Sequence, residues 1–252
     1  MTDPAASFED HMSEHTVKAY DADLSALHRS LAEMGGIAEK MLADAMDALT
    51  GLDTDLAKTV IANDPRLDAL QREIEEKAVG TIARRQPMAV DLREIIAAIR
   101  ISADLERVGD LAKNIAKRSI KIAAEPRMAR ATIGLKHMGE LAALQLKEVL
   151  DSYSEHDVEK AHAVWLRDAE VDALEDSVFR DLLTFMMEDP RNISFCTHLL
   201  FCSKNIERVG DHATNIAETV YYLVTGSTLP MERPKGGLDL PDPTVGSAPA
   251  SK

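Results

Sequence analysis

Eight acidic residues of this chain fall into four pairs spaced four apart: Asp64 with Asp68, Glu106 with Asp110, Asp168 with Asp172, and Glu207 with Asp211. On a helix that spacing stacks both carboxylates on one face, where like charges cost about a few tenths of a kcal/mol. Four carboxylates around one point are unstable without a cation. With one they form a hard, all-oxygen site suited to iron, manganese, magnesium or calcium. The plainer alternatives are a solvated acidic face and, for Asp64 before Pro65 and for Asp168 at the matching place, an N-cap.

Other chemistry has thinner support. Glu159 and His162 have the spacing used in di-iron bundles, but those need two such pairs and the chain has one. His212, next to Asp211, is a candidate extra ligand, although Leu111 stands at the matching place. Arg107 and Arg208 are placed to pair with the carboxylates or to meet a partner. Arg84, Arg85 and Arg93 flank Pro87 as a small basic patch, or, for the first two, complement a helix C-terminus. There is no glycine-rich phosphate loop and no Ser/His/Asp or Cys/His arrangement, so no catalytic residue is assigned. Cys196 and Cys202 have neither metal nor redox spacing and make no disulfide framework.

The elements that must position these residues are helices. Aromatic residues are 4% of the chain, and Ala and Leu dominate, a mix that favours helix over strand. Leu24, Leu27, Leu31, Met34, Ala38, Met41, Ala45, Ala48 and Leu52 keep an unbroken three-four spacing, which predicts a long helix with a coiled-coil-like seam. A short helix is expected over 53–63, a second from Pro65 to about 85, and a long one over 91–124. The pattern then recurs: a helix carrying Leu135 to Tyr153, a short one near 157–167, and others over 168–187 and 192–225.

The recurrence is literal. Residues 105–116 read LERVGDLAKNIA and residues 206–217 read IERVGDHATNIA. Two copies of one helical bundle are therefore fused in tandem. On the helical wheel Ile101, Leu105, Val108, Ala112 and Ile115 face the core, as do Cys202, Ile206, Val209, Ala213 and Ile216. The acidic pairs then face outward. Gly109 and Gly210 lie between the stripes, and each costs about 1 kcal/mol against Ala in a helix, which implies close backbone approach or room for a ligand.

Charge follows the same division. The net −14 splits into −7 for residues 1–125, −7 for 126–225 and zero for 226–252. The acidic balance excludes a typical nucleic-acid binder and docking on anionic lipid by charge alone. No apolar run reaches the roughly 20 residues of a transmembrane helix, and the first residues lack the pattern of a signal peptide. A cytoplasmic protein is expected. The last segment, rich in Pro and Gly, is expected to be disordered.

The segments RRQPMAVDLR (84–93), LERVGDLAKNIA and IERVGDHATNIA resemble the PhoU family, as do Met34-Gly35-Gly36 and MMEDPR (186–191). The resemblance implies an all-α fold of two similar three-helix bundles, over 8–125 and 126–225, with 226–252 outside it as the tail. It implies an accessory regulator of phosphate uptake that represses the phosphate-starvation response. The implied partners are the ATPase subunit of a phosphate ABC transporter and a phosphate sensor histidine kinase, with the membrane reached only through them. The family's repeated acidic motif binds metal ions, and it falls here on the four pairs named above. Iron, manganese, magnesium or zinc are the expected ions, and a homodimer is the expected assembly. One departure is that RRQP at the first-half turn becomes EDPR in the second.

Overall fold

A computed structural model describes residues 4–124 and 132–229, with side chains from residue 20 onward. Six helices follow one another: α1 (Pro4–Gly51), α2 (Thr54–Arg85), α3 (Val90–Ala123), α4 (Ile133–Glu155), α5 (Val158–Glu188) and α6 (Ile193–Thr225). A 3₁₀ turn, Pro190–Asn192, leads into α6. Among the described residues there is no strand. Helices α1, α2 and α3 pack on one another as a first bundle, and α4, α5 and α6 as a second. The bundles meet along α3 against α6 and, less extensively, α1 against α4. The part of the expected tail beyond residue 229 lies outside the described residues.

The predicted core stripes are buried, except at the ends of the α1 seam: Leu24 is half-buried, and Leu52 is exposed because the helix has ended and the chain turns there at φ 54°. Met34, Ala38, Met41 and Ala45 of α1 are at most 1% exposed, and the five core residues read on α3 and the five on α6 are all at 0%. Those two helices are buried on more than one stripe, since each packs against its own bundle and the other. Buried hydroxyls there turn back on the helix: Ser119 Oγ donates to the Ile115 carbonyl at 3.0 Å, and Thr214 Oγ1 to that of Gly210 at 2.7 Å.

Two expected breaks are absent. The short helix over 53–63 and its successor are one helix, α2, with Pro65 inside it. Proline there removes the hydrogen bond to the Ile61 carbonyl, a cost of about 3 kcal/mol in a helix interior. Burial of Ala57 and Val60 before it and Leu67 and Leu70 after it, on one stripe, carries the helix through. Likewise 157–167 and 168–187 form the single helix α5. Neither Asp64 nor Asp168 is an N-cap, because both are in helix interiors. The caps are Asp53, whose Oδ1 accepts from the amides of Asp55 and Leu56 at 3.0 and 2.9 Å, and Asp157, which accepts from that of Lys160 at 3.0 Å. Each cap follows a left-handed residue, Leu52 or His156, both at φ 54°. The duplication thus repeats a whole turn.

Candidate functional site: two carboxylate seams

In the first bundle the acidic pairs line the junction of α2 and α3, half-buried and not fully outward. Lys113 joins them: its Nζ lies 2.8 Å from Asp64 Oδ2 and 2.5 Å from Asp110 Oδ1. Arg107 adds a guanidinium 3.3 Å from Glu106 and 3.5 Å from Asp110. Burial pushes the Glu106 carboxyl above its ordinary pKa, and Asp110 adds to this. Arg107 opposes it, and Asp68 and Asp64 contribute from across the seam. Burial disfavours the Lys113 charge, yet its hydrogen bonds to Asp110 and Asp64 hold its pKa above the usual lysine value.

The second seam, between α5 and α6, has different neutralisation. Thr214 stands where the first copy has Lys113. The ammonium comes instead from Lys204, whose Nζ is 2.6 Å from Glu207 Oε1. The other oxygen, Glu207 Oε2, is buried without a hydrogen-bond partner. Burial raises the Glu207 pKa, Lys204 opposes this, and Asp211 and Asp172 raise it further. Glu175 is raised by burial and, against the pull of Lys204, by Asp176 and Asp172. Asp168 departs most from the outward reading, at 7% exposure.

Both glycines mark close approach. A Cβ on Gly109 would lie 2.2 Å from Leu67 Cδ2, so α3 presses its backbone onto α2. A Cβ on Gly210 would meet Asp168 Oδ1 at 3.3 Å and Gln145 Oε1 at 3.4 Å. Polar atoms of the second seam thus occupy the space that a leucine fills in the first.

Among the described residues, no three His, Cys, Asp or Glu side chains are gathered as a ready ligand set for a metal ion. The pairs share each seam but stand apart, so a cation would have to draw them in. The donor chemistry fits a hard cation in both seams, all carboxylate oxygen. The second also keeps a buried carboxylate oxygen, Glu207 Oε2, with no hydrogen-bond partner.

The other candidates have structural partners. His212 Nδ1 lies 2.8 Å from Asp104 Oδ1, and Asn215 donates to the same oxygen at 3.3 Å, so this pair latches α6 to α3. His162 stacks on Trp165 at 5.9 Å between centroids. Arg84 and Arg85 pair with Asp23 at 3.7 and 3.2 Å, and Arg93 Nε donates to the Leu223 carbonyl at 3.2 Å. The basic patch is therefore spent within the molecule. Lys113 and Lys204 were not among the sequence candidates, although each lies three residues from an acid on the same helix, a spacing that brings charges together.

The site and fold define a duplicated three-helix-bundle protein with an acidic seam in each half. The PhoU domain model matches residues 31–119 and 135–220. A protein of Rhizobium meliloti (strain 1021), named phosphate-specific transport system accessory protein PhoU homolog, is 58% identical over 88% of this chain and 93% of its own length. A protein of the same name from Caulobacter vibrioides is 52% identical over 89% of this chain and 97% of its own. The crystal structure of PhoU from Pseudomonas aeruginosa superposes with a TM-score of 0.81 at 39% identity, covering 82% of this chain and all of that one. The phosphate transport system regulatory protein PhoU from Streptococcus pneumoniae gives 0.77 at 27% identity, over 84% of this chain and all of that one. This chain belongs to the PhoU family.

Proposed function

We propose that this chain is a cytoplasmic negative regulator of the phosphate-starvation response and a modulator of phosphate uptake. It works as an adaptor, a homodimer that meets the ATPase subunit of a phosphate ABC transporter and a sensor histidine kinase. It performs no bond chemistry, and it reaches the membrane only through those partners. Among the described residues no helix is long and apolar enough to cross one. The observation that carries the reading is the span of the likeness. It runs through both bundles to a relative 58% identical and named as an accessory protein of phosphate-specific transport.

Metal ions belong to this reading as ties between helices. Asp64, Asp68, Glu106 and Asp110 would hold one across α2 and α3, and Asp168, Asp172, Glu207 and Asp211 one across α5 and α6. A bound cation supplies neutralising charge where burial has raised Glu106 and Glu207. Iron, manganese, magnesium and zinc all suit such ligands.

Deleting the gene tests the regulatory role. Alkaline phosphatase output is expected to stay high in phosphate-rich medium, and output that stays low overturns the reading. Affinity capture from phosphate-replete cells should recover the transporter ATPase or the kinase. Elemental analysis of the purified chain, beside Glu106→Ala and Glu207→Ala, tests the metal part separately.

A further inference from the structure

A cavity of about 490 Å³ opens between α1 and α4, the first helices of the two bundles. The helices run antiparallel there. A Cβ on Gly35 would lie 3.0 Å from Leu150 Cδ1, and nearer the α4 C-terminus His28 meets Tyr153 edge-on at 6.0 Å. Beneath this end Glu94 of α3 is clasped by two imidazoles, with His28 Nε2 and His156 Nε2 each 3.1 Å from its Oε1.

Three features at the cavity meet no bonded partner among the described residues. The first is Gly36. Gly35 is required by its contact with Leu150, but a Cβ on Gly36 would meet no atom within 4 Å. A glycine in a helix interior costs about 1 kcal/mol against alanine. The matching place in the second copy is Glu140, so the architecture does not demand glycine there. The second is the Tyr153 hydroxyl, in a residue only 8% exposed and without a hydrogen-bond partner. The third is the rim. Arg29 stands at one end and Glu39 at the other, and among the described residues neither has an ion pair. Glu39 is held near Asp151 in a desolvated place, and burial and Asp151 raise its pKa against the weaker pull of Lys147. Ten residues of helix separate Arg29 from Glu39, about 15 Å.

We infer that this groove receives an amphipathic helix of a partner protein, its apolar ridge seated over Gly36 and Leu150, with an acid facing Arg29 and a base facing Glu39. Two packed helices with small residues between them leave a trough that a third helix fills through its i, i+3, i+4 ridge. Opposite charges at the rim select a helix with one acid and one base about ten residues apart. Such a helix touches both bundles at once. The assignment rests on the adaptor reading and names the surface that an adaptor would use.

The test uses labelled helical peptides of about 20 residues with a leucine ridge. One carries Glu and Lys about ten residues apart, and two controls carry Lys or Glu at both places. Fluorescence anisotropy with the full chain is expected to show the mixed-charge peptide bound best. Gly36→Leu should weaken it at least tenfold while the thermal melt holds or rises by a few degrees, because the new side chain points into open space and removes a helix glycine. Arg29→Glu should weaken it about tenfold and transfer preference to the double-Lys peptide. Absence of binding by all three, indifference to Gly36→Leu, or no transfer of preference overturns the inference. So does a small metabolite released from the denatured chain and missing from Gly36→Leu. In the deletion strain, Gly36→Leu should restore repression incompletely. Full restoration strikes the groove alone and leaves the adaptor reading standing.

Discussion

Gly109 and Gly210 stand at the same place in two copies of one helix, yet their neighbours differ in kind. Leu67 and Met41 fill the space beside Gly109, and Asp168, Gln145 and Val171 that beside Gly210. Val171 matches Leu67 and is one methylene smaller, and Gln145 matches Met41. The room gained is taken by a carboxylate. At the same level Lys113 has become Thr214, so the second seam gave up its internal ammonium as it drew Asp168 inward. In one seam Lys113 and Arg107 pair with Asp64, Glu106 and Asp110. The other buries one carboxylate oxygen, Glu207 Oε2, without a hydrogen-bond partner.

That contrast can be broken at its strongest point. Gly109→Ala should cost about 2 kcal/mol, since its methyl would overlap Leu67 in a packed core. Gly210→Ala should cost less than half as much, because its neighbours need yield only a few tenths of an ångström. Urea denaturation of both variants checks the order, and equal losses would erase the difference between the seams. Next comes cation affinity. Manganese titration should show the second seam binding more tightly, and Lys113→Thr should raise the affinity of the first about tenfold, or about 1.4 kcal/mol. An unchanged isotherm would show that the ammonium does not compete with metal.

The duplicated caps should behave alike. Asp53→Ala and Asp157→Ala are each expected to lower stability by about 1 kcal/mol. Asp53 should cost slightly more because it holds two amides against one. The smallest effect is in the pH dependence. A raised carboxyl pKa means that the folded chain binds the proton more tightly than the unfolded one. Stability from this source is therefore greatest in acid and is lost as pH rises from the usual carboxylate range through the raised folded value. Glu207→Gln should flatten that slope. Glu106→Gln should do less, since Glu106 is the less deeply buried of the two and burial is the main cause of both shifts. Melts across pH 4 to 8 distinguish the two.

Helix periodicity and the repeated LERVGD and IERVGD segments made the all-helical, duplicated plan legible, because apolar spacing dictates burial directly, although they divided six helices into eight segments. Pro65 misled because local propensity treats proline as a boundary, whereas burial of Val60 and Leu67 on either side outweighs the lost hydrogen bond. The acidic pairs were legible as pairs. Their degree of burial was not, since it depends on how closely α2 and α3, or α5 and α6, approach at a glycine. The roles of Lys113 and Lys204 were open to discovery by spacing alone. The grip of His28 and His156 on Glu94 was not, because it joins three helices far apart in sequence.

The reach of Arg93 has a further consequence. Its guanidinium leaves the first repeat to hold the last turn of the second, through the Leu223 carbonyl. With His156 on Glu94 beside it and His212 on Asp104 about three turns on, it braces the halves at two heights of α3. Cutting the gene at its midpoint would strip each fragment of partners for buried polar groups. Two repeats that began as interchangeable copies have become a single heritable unit, free to specialise but no longer free to separate.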